Sequence, residues 1–431
     1  MPPPIDAEHH HRMISPELLE EVRPLAELFQ SAGFRLYLVG GIVRDQVLGR
    51  PLEPSTDIDL TTDASPDRIK ELLAGLARAV WTQGERFGTI GCHIGARAYE
   101  ITTHRGEWYE PSSRKPMVEF SDAVEDDLAR RDFTVNAMAA SLPDGALIDP
   151  HGGLRDLAEH RLRTPLEPEQ SFTDDPLRML RAARFLAGYD LVPEPALVDA
   201  VDRLVTRLSI VSIERRRDEL DKLLVVPNPT PGFRFLRDHN VLGYVLVHLA
   251  GVPGDAFERV LHVMQRVPPD RDLRLAATFA ADDAPVRAEV ASALRDLRYS
   301  NHVIERVSAL VVAASMARAH DGDWRPADVR RLASVAGSVL DDAVVLASAL
   351  VDTTTLREQI RRLRATEPLD DLTPALDGEA VMELLGVPPG PDVGRALDFL
   401  RELRVNEGVL APDDARRRLD EWWRSTNVDR G

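Results

Sequence analysis

A single cysteine occurs in 431 residues. Cys92 therefore has no partner for an internal disulfide and cannot build a cysteine zinc cluster. Long apolar runs are missing as well: none approaches the roughly 18 residues that a membrane-crossing helix needs. The opening, MPPPIDAEHHHRM, has neither the apolar stretch of a secretory signal nor the arginine richness of a transit peptide. His9–His11 within it read as part of a flexible tail rather than as a metal site. An excess of positive charge is also lacking. The net charge is −18, which argues against indiscriminate binding to nucleic acid but leaves room for a local basic groove. The arginine clusters Arg215–Arg217 and Arg416–Arg418 read first as solvated helix faces. Neither a repeat of fixed period nor a low-complexity segment is present. These absences together point to a cytoplasmic protein without a membrane partner.

What is present is an ordinary globular composition, 44% hydrophobic and 29% charged, over a length that calls for about two to four domains. Strand patterns and helix patterns alternate up to about residue 150. RLYLVGG reads as a buried strand entering a turn, IVRDQVLG as a short helix closed by Gly49, and DIDLTT as a strand by its alternation. A helix over 66–79 and three strands, AVWTQ, GTIGCHIG and RAYEITTH, follow. Residues 105–120 read as a mobile polar loop, and VEDDLARRDFTVNAMAASL as a helix running into a strand. From about Pro176 nearly everything has the three- and four-residue spacing of helices. The expected fold is α+β: a tail over 1–12, a mixed-sheet head over 13–150, a helical neck over 151–240, and a helical body and tail over 241–431.

The chemistry begins with Asp57 and Asp59. Alternate residues of a strand share a face, so both carboxylates project together while Ile58 and Leu60 enter the core. Two hard oxygen donors suit Mg²⁺. A lone D-x-D is more often a solvated strand end, but Gly40 and Gly41 stand nearby. They let the backbone approach a ligand closely, the helix that follows offers free N–H groups, and Arg44 adds a charged fork for a phosphate. A triphosphate site beside a metal site implies nucleotidyl transfer. In RRDFTVNAM, Arg131, Asp132 and Asn136 are polar within an apolar frame, and Asp132 and Asn136 share a face if the segment is helical. In TDDPLRMLRAARF, Asp175 can only accept and Arg178 can only donate. One such pair matches the amino group and ring acceptor shared by cytosine and adenine, and its carboxylate repels guanine and uracil. Pro176 also fits a first helical position, which makes Asp175 a candidate N-cap.

LVGGIVRDQVLG, DIDLTT, RRDFTVNAM and DDPLRMLRAARF occur in that order, and in this the chain resembles the bacterial class II nucleotidyltransferases, which comprise CCA-adding tRNA nucleotidyltransferases and poly(A) polymerases. The resemblance covers roughly residues 36–225 and weakens to about 412. It implies a polymerase-β-like head, with Asp57 and Asp59 holding Mg²⁺ and Gly40, Gly41 and Arg44 meeting the triphosphate of CTP or ATP. Asp132 and Asn136 would take the sugar and Arg131 a phosphate. Asp175 and Arg178 would select the base, with Arg181 and Arg184 also at the nucleotide, and Glu214, Arg215 and Glu219 would brace the selecting helix. The family's pattern at the selecting pair is Glu-Asp-x-x-Arg, and Asp174 replaces the glutamate here. RGEWYEPSSRKPMVEF resembles the flexible loop of full CCA-adding members, and GERFGTIGCHI is similar to their form rather than to that of poly(A) polymerases. Tandem addition of C, C and A to the 3′ end of tRNA is the implied activity. The rivals are a poly(A) polymerase, an inert RNA-binding relative and, remotely, a phosphohydrolase. The last is disfavoured because TFAADDAP places Ala280 and Ala281 where relatives carry a metal-binding His-Asp, and Asp282 and Asp283 read as a solvated helix end. In LLGVPPGPDVGRAL, Gly386, Gly390 and Gly394 fit either a phosphate-binding hairpin or a connection between packed helices. Oligomeric state is not legible.

Overall fold

The computed structural model describes residues 13–53, 56–108, 117–280 and 286–427. The expected tail with His9–His11, the tip of the 105–120 segment, and Ala281, Asp282 and Asp283 lie outside the described residues. The chain divides into two compact units, residues 1–245 and 246–431.

The first unit opens with α1 (Pro16–Ser31). Ser15 accepts the Leu18 N–H at its start, and Leu18, Val22, Leu25, Ala26 and Phe29 form its buried stripe. Such a cap stabilises a helix by about 1 kcal/mol. Then follow β1 (Leu36–Val39), α2 (Gly41–Val47), β2 (Ile58–Thr62), α3 (Pro66–Leu73), β3 (Ala79–Trp81), β4 (Thr89–Ile94), β5 (Arg97–Thr103), β6 (Arg105–Trp108), β7 (Met117–Phe120), α4 (Val124–Ala129), β8 (Ala139–Ser141) and β9 (Leu147–Ile148). Seven strands form one sheet in the order β3-β4-β5-β2-β1-β8-β9. Only β2 and β5 pair in parallel; the other neighbours are antiparallel.

Alternation decides the two faces. Ile58, Leu60, Ile90, Cys92, Tyr99 and Ile101 are all buried on one side, where α3 packs. On the other side Tyr37 and Val39 are sealed by Val124 and Leu128 of α4, and farther along β2 and β5 that face opens to solvent at Asp59 and Glu100. The sheet is thus roofed over one half of this face and bare over the other.

Two expectations about local structure change. The segment read as a loop over 105–120 is bounded by paired strands, β6 with β7, in the register Arg105↔Phe120 through Trp108↔Met117. Its polar composition hid the pairing. The helix expected over 66–79 ends at Leu73, because the chain must turn at 74–76 to enter β3.

Beyond the sheet come α5 (Gly153–Ala158), the short parallel pair β10 (Arg161–Leu162) and β11 (Val192–Pro193), and the helices α6 (Pro168–Asp174), α7 (Arg178–Tyr189), α8 (Pro195–Leu204), α9 (Ile213–Leu224) and α10 (Thr230–Asp238). α7 packs on both α9 and α10. The regular turns of α7 start at Arg178 rather than at Pro176; Asp175 closes α6 and still caps the turn leading into α7, its Oδ1 and carbonyl accepting the Leu177 and Arg178 N–H groups.

Described residues of the second unit are helical or loop, and none of its helices is long and apolar enough to cross a membrane. Ala280 is buried beside Phe279, Val311 and Leu346, and His248 stacks flat on Phe279 at 4.1 Å. Gly386 ends the helix Gly378–Leu385 in a left-handed conformation, and Gly390 precedes the helix Pro391–Glu407. The glycine-proline stretch is therefore a connection between two packed helices, whose shared core includes Val381, Ala396 and Leu400.

Candidate active site

Gly40 is where the pieces meet. Its φ is +76°, a left-handed conformation that glycine adopts without steric cost. A Cβ placed there would lie 2.6 Å from Arg131 Nη1 and 4.0 Å from Asp59 Oδ2. A side chain would have to displace the guanidinium, and the left-handed φ already favours glycine at this turn; the Asp59 carboxylate stands at ordinary contact distance. The turn enters α2, beside Arg44.

Asp57 immediately precedes β2 and Asp59 lies within it. Neither carboxylate draws a hydrogen bond or ion pair from a described residue. The crowding of the surrounding chain pushes the Asp59 pKa up to about 6; Arg131 opposes this, and the nearby charges of Glu100 and Asp57 add to it. By surface area Asp59 is exposed. Exposure and crowding pull opposite ways, and the open path to water governs: Asp59 is a reachable carboxylate on the bare floor of the sheet. Glu100 was not singled out from the sequence. Alternation within RAYEITTH put it on a polar face, but only the parallel register Asp59↔Glu100 shows that the face is shared. No three His, Cys, Asp or Glu side chains among the described residues form a closed metal cage. The pair instead suits an ion that keeps positions for water and substrate oxygens, as Mg²⁺ does; crowding is the main cause of the raised Asp59 pKa, and the smaller repulsion from Glu100 and Asp57 is what a divalent cation would relieve.

Next to this floor lies an open cleft of about 240 Å³ lined by Arg130, Arg131, Asp132, Asp175, Leu177, Arg178, Arg181 and Arg215. Five arginines face two aspartates, so a strongly acidic chain carries a local basic hollow of the kind that attracts a polyphosphate.

Most of these side chains are tied to one another. Arg44 is buried and donates to both oxygens of Asp45, at 3.0 and 2.9 Å, and to Asn136 Oδ1 at 2.5 Å. Its plane lies over Tyr189, 4.1 Å from the ring centre. Three of its five N–H groups are thus engaged, and two remain for a ligand. Asn136 ends a short 3-10 turn, Thr134–Asn136, and its Nδ2 donates to Asp132 Oδ1 at 3.0 Å. Asp132 Oδ2 accepts from Arg181 Nε at 2.8 Å. Arg181 and Arg184 then converge on the buried Glu219, at 3.1 and 2.8 Å. A second chain runs from Arg131 and Arg130 to the fully buried Asp127, and from the Arg130 carbonyl to Arg178 Nη2. Burial by itself would raise Asp127, Asp132 and Glu219; the facing arginines overcome it and hold all three below the ordinary carboxylate range.

Arg178 is buried and also donates to Ser171 Oγ at 2.7 Å. Asp175 Oδ1 accepts the Leu177 N–H at 3.2 Å, and Oδ2 accepts from Arg215 Nη2 at 2.9 Å. The structure therefore brings Asp175 and Arg178 to one cleft, and adds Arg215 as a direct partner of Asp175. The family resemblance had named Arg215 as a brace of the selecting helix, but not as a direct partner of Asp175.

Three family profiles match the chain. "Poly A polymerase head domain" covers residues 36–163, "Probable RNA and SrmB-binding site of polymerase A" covers 190–251, and a second domain of tRNA nucleotidyltransferases covers 277–415. The chain is 31% identical over 402 residues to a CCA-adding enzyme of Limosilactobacillus fermentum, covering 92% of this chain and 95% of the relative. To that of Lactobacillus gasseri it is 30% identical over 409 residues, covering 93% and 96%. Among solved structures, the Bacillus stearothermophilus CCA-adding enzyme in complex with CTP superposes with a TM-score of 0.77 at 27% identity, covering 96% of this chain and all of that one.

Proposed function

Since the chain belongs to the CCA-adding enzymes, we propose that it adds C, C and A to the 3′ end of tRNA from CTP and ATP, in the cytoplasm and with Mg²⁺, releasing pyrophosphate at each step. The observation that carries the reading is the convergence at Gly40 of the D-x-D strand, the glycine turn and Arg131, beside an arginine-lined cleft.

Asp57 and Asp59 would hold the metal, which when bound activates the attacking hydroxyl and stabilises the leaving pyrophosphate. Gly40 and Gly41 leave room for the triphosphate to approach the backbone. Arg131, anchored through Asp127, and the two unused N–H groups of Arg44 offer donors to its oxygens. Asp132 and Asn136, already oriented by Arg181 and Arg44, present acceptors and an amide to the ribose. The tRNA 3′-hydroxyl attacks the α-phosphorus in line; the bond to the β-phosphate oxygen breaks, and pyrophosphate leaves with the bonding pair.

Base choice falls to Asp175 and Arg178. Each Asp175 oxygen keeps a lone pair beyond the bond it already accepts, so a cytosine or adenine amino group can be received without breaking the contact to Arg215. An acceptor at that position, as in uracil or guanine, meets a carboxylate and is rejected. Each such paired contact is worth ~1–3 kcal/mol of discrimination. Arg181, Arg184 and Glu219 hold α7 against α9 and so fix where the pair stands.

The test supplies purified protein and Mg²⁺ with tRNA lacking its terminal triplet, first with CTP alone, then with CTP and ATP. Sequenced 3′ ends reading CC and then CCA support the proposal. Adenylate runs without cytidine would assign a poly(A) polymerase instead, and no extension would leave an inert RNA-binding relative.

A further inference from the structure

The sheet register carries the metal-facing surface farther than the active site uses. Asp59 pairs with Glu100, Glu100 with Gly91, and Gly91 with Trp81. Residues directly opposite one another across a sheet point to the same face. The four therefore form one row on the face that bears the carboxylates, ending at the edge strand β3. Trp81 does not stand up from that row. A Cβ on Gly91 would fall 2.1 Å from its Nε1 and Cε2, so the indole lies down on the Gly91 backbone. His93, diagonal to it on the same face, keeps its ring centre 5.0 Å away at 53°. Trp81 is half-buried and His93 exposed.

A tryptophan lying on a glycine at a sheet edge belongs neither to the apolar face under α3 nor to the cluster sealed by α4. It does provide a fixed aromatic surface about 14 Å from Asp59, three strand spacings of ~4.8 Å. Unpaired bases stack on such platforms irrespective of sequence, because every base has a π-face. We propose that Trp81, seated on Gly91 and flanked by His93, is a stacking site for an unpaired base of the RNA strand whose 3′ end is extended at Asp57 and Asp59. This rests on the nucleotidyl-transfer reading. The occupant is an unpaired base of the acceptor strand rather than the incoming nucleotide, because the triphosphate and base-selecting groups lie at Gly40, Asp175 and Arg178.

Two variants of the full chain test it, Trp81→Ala and Gly91→Ala. The second keeps the indole but lifts it off the sheet. Binding of a short single-stranded RNA ending in CC, without nucleotide or metal, is read by fluorescence anisotropy; the KM values for truncated tRNA and for CTP are read separately. Both variants are expected to weaken RNA binding, and to raise the tRNA KM, by about ten-fold, with the CTP KM unmoved and Trp81→Phe restoring most of the loss. Unchanged RNA affinity in Trp81→Ala overturns the proposal, as does an equal rise in both KM values. Because the binding assay involves no turnover, it stands apart from the assay of nucleotide addition. Absence of CTP incorporation by the unmodified protein would defeat the functional reading, whereas unchanged RNA binding would defeat only the platform.

Discussion

The carboxylates of the sheet and those of the helical lattice beside it are the same chemical group in opposite electrostatic states. Asp57 and Asp59 have no ion-pair partner among the described residues, and Asp59 is pushed up to about 6. Asp127, Asp132 and Glu219 are buried, are each gripped by two arginines or by an arginine and an amide, and are held low. The lattice is electrostatically complete and acts as scaffold. The sheet pair is incomplete, which is the state that the proposed metal-holding role requires.

If that contrast is right, neutralising a sheet carboxylate and neutralising a lattice carboxylate should fail in opposite ways. Asp59→Asn is expected to lower nucleotide incorporation by more than about a thousand-fold, since it removes one of the two groups proposed to hold the metal at the reacting centre. Folding should be unharmed or slightly improved, because the repulsion with Asp57 and Glu100 is relieved. Incorporation kinetics and a thermal melt read both. A large drop in melting temperature would make Asp59 structural and erase the distinction.

Asp132→Asn should do the reverse in stability. Arg181 loses one of its two carboxylates inside a crowded site, and breaking a buried pair from one side costs about 3–5 kcal/mol. Urea unfolding of the variant against the parent measures it. A loss under about 1 kcal/mol would mean that the lattice is solvated and not a scaffold.

The difference between the two regions also explains what the sequence disclosed. The D-x-D pair and the glycine turn were legible because their meaning lies within a few consecutive residues: strand alternation is local, and so is the turn. The lattice was half legible. Arg131, Asp132, Asn136, Arg181 and Arg184 could be named from their motifs, yet nothing in the string said that Arg181 pairs with Asp132 or that Arg44 reaches Asn136. Those contacts join residues 49 and 92 positions apart. Glu100 and Trp81 stayed hidden for the same reason, since strand register, parallel at Asp59↔Glu100 and antiparallel at Trp81↔Gly91, is decided by packing rather than by neighbours. The β6–β7 pairing was lost because its strands are only four residues each, RGEW and MVEF, too short to show the alternation of a half-buried strand, and the stretch between them is polar and holds Pro111 and Pro116.

Acid should separate the second unit from the first. His248 is stacked on Phe279, and burial lowers its pKa to about 4 from an ordinary value near 6.5. Its folded pKa lies below its unfolded one, so its contribution is present above about pH 6.5 and is lost as pH falls toward 4. Asp127 and Asp132 are depressed from about 4, so theirs is present above pH 4 and lost below it. Hydrogen exchange followed from pH 7 to 3 is expected to show residues around His248 loosening first and the lattice later. Simultaneous loosening would count against independent electrostatics in the two units.

The smallest effect is expected where lattice and active site touch. Arg215 bonds Asp175 at 2.9 Å, but its side chain is 47% exposed, and ion pairs in such positions contribute about 0–1 kcal/mol. Arg215→Ala should therefore leave the melting temperature within a degree or two. Selection should change more than stability does. Without Arg215 the Asp175 carboxylate keeps only the Leu177 N–H to orient it, and it gains freedom to turn from the cleft. A few-fold rise in uridine misincorporation, read by sequencing 3′ ends made from mixed CTP and UTP, is the expected sign. Unaltered fidelity would place Arg215 with the inert outer rim of the lattice and leave Asp175 oriented by its backbone turn alone.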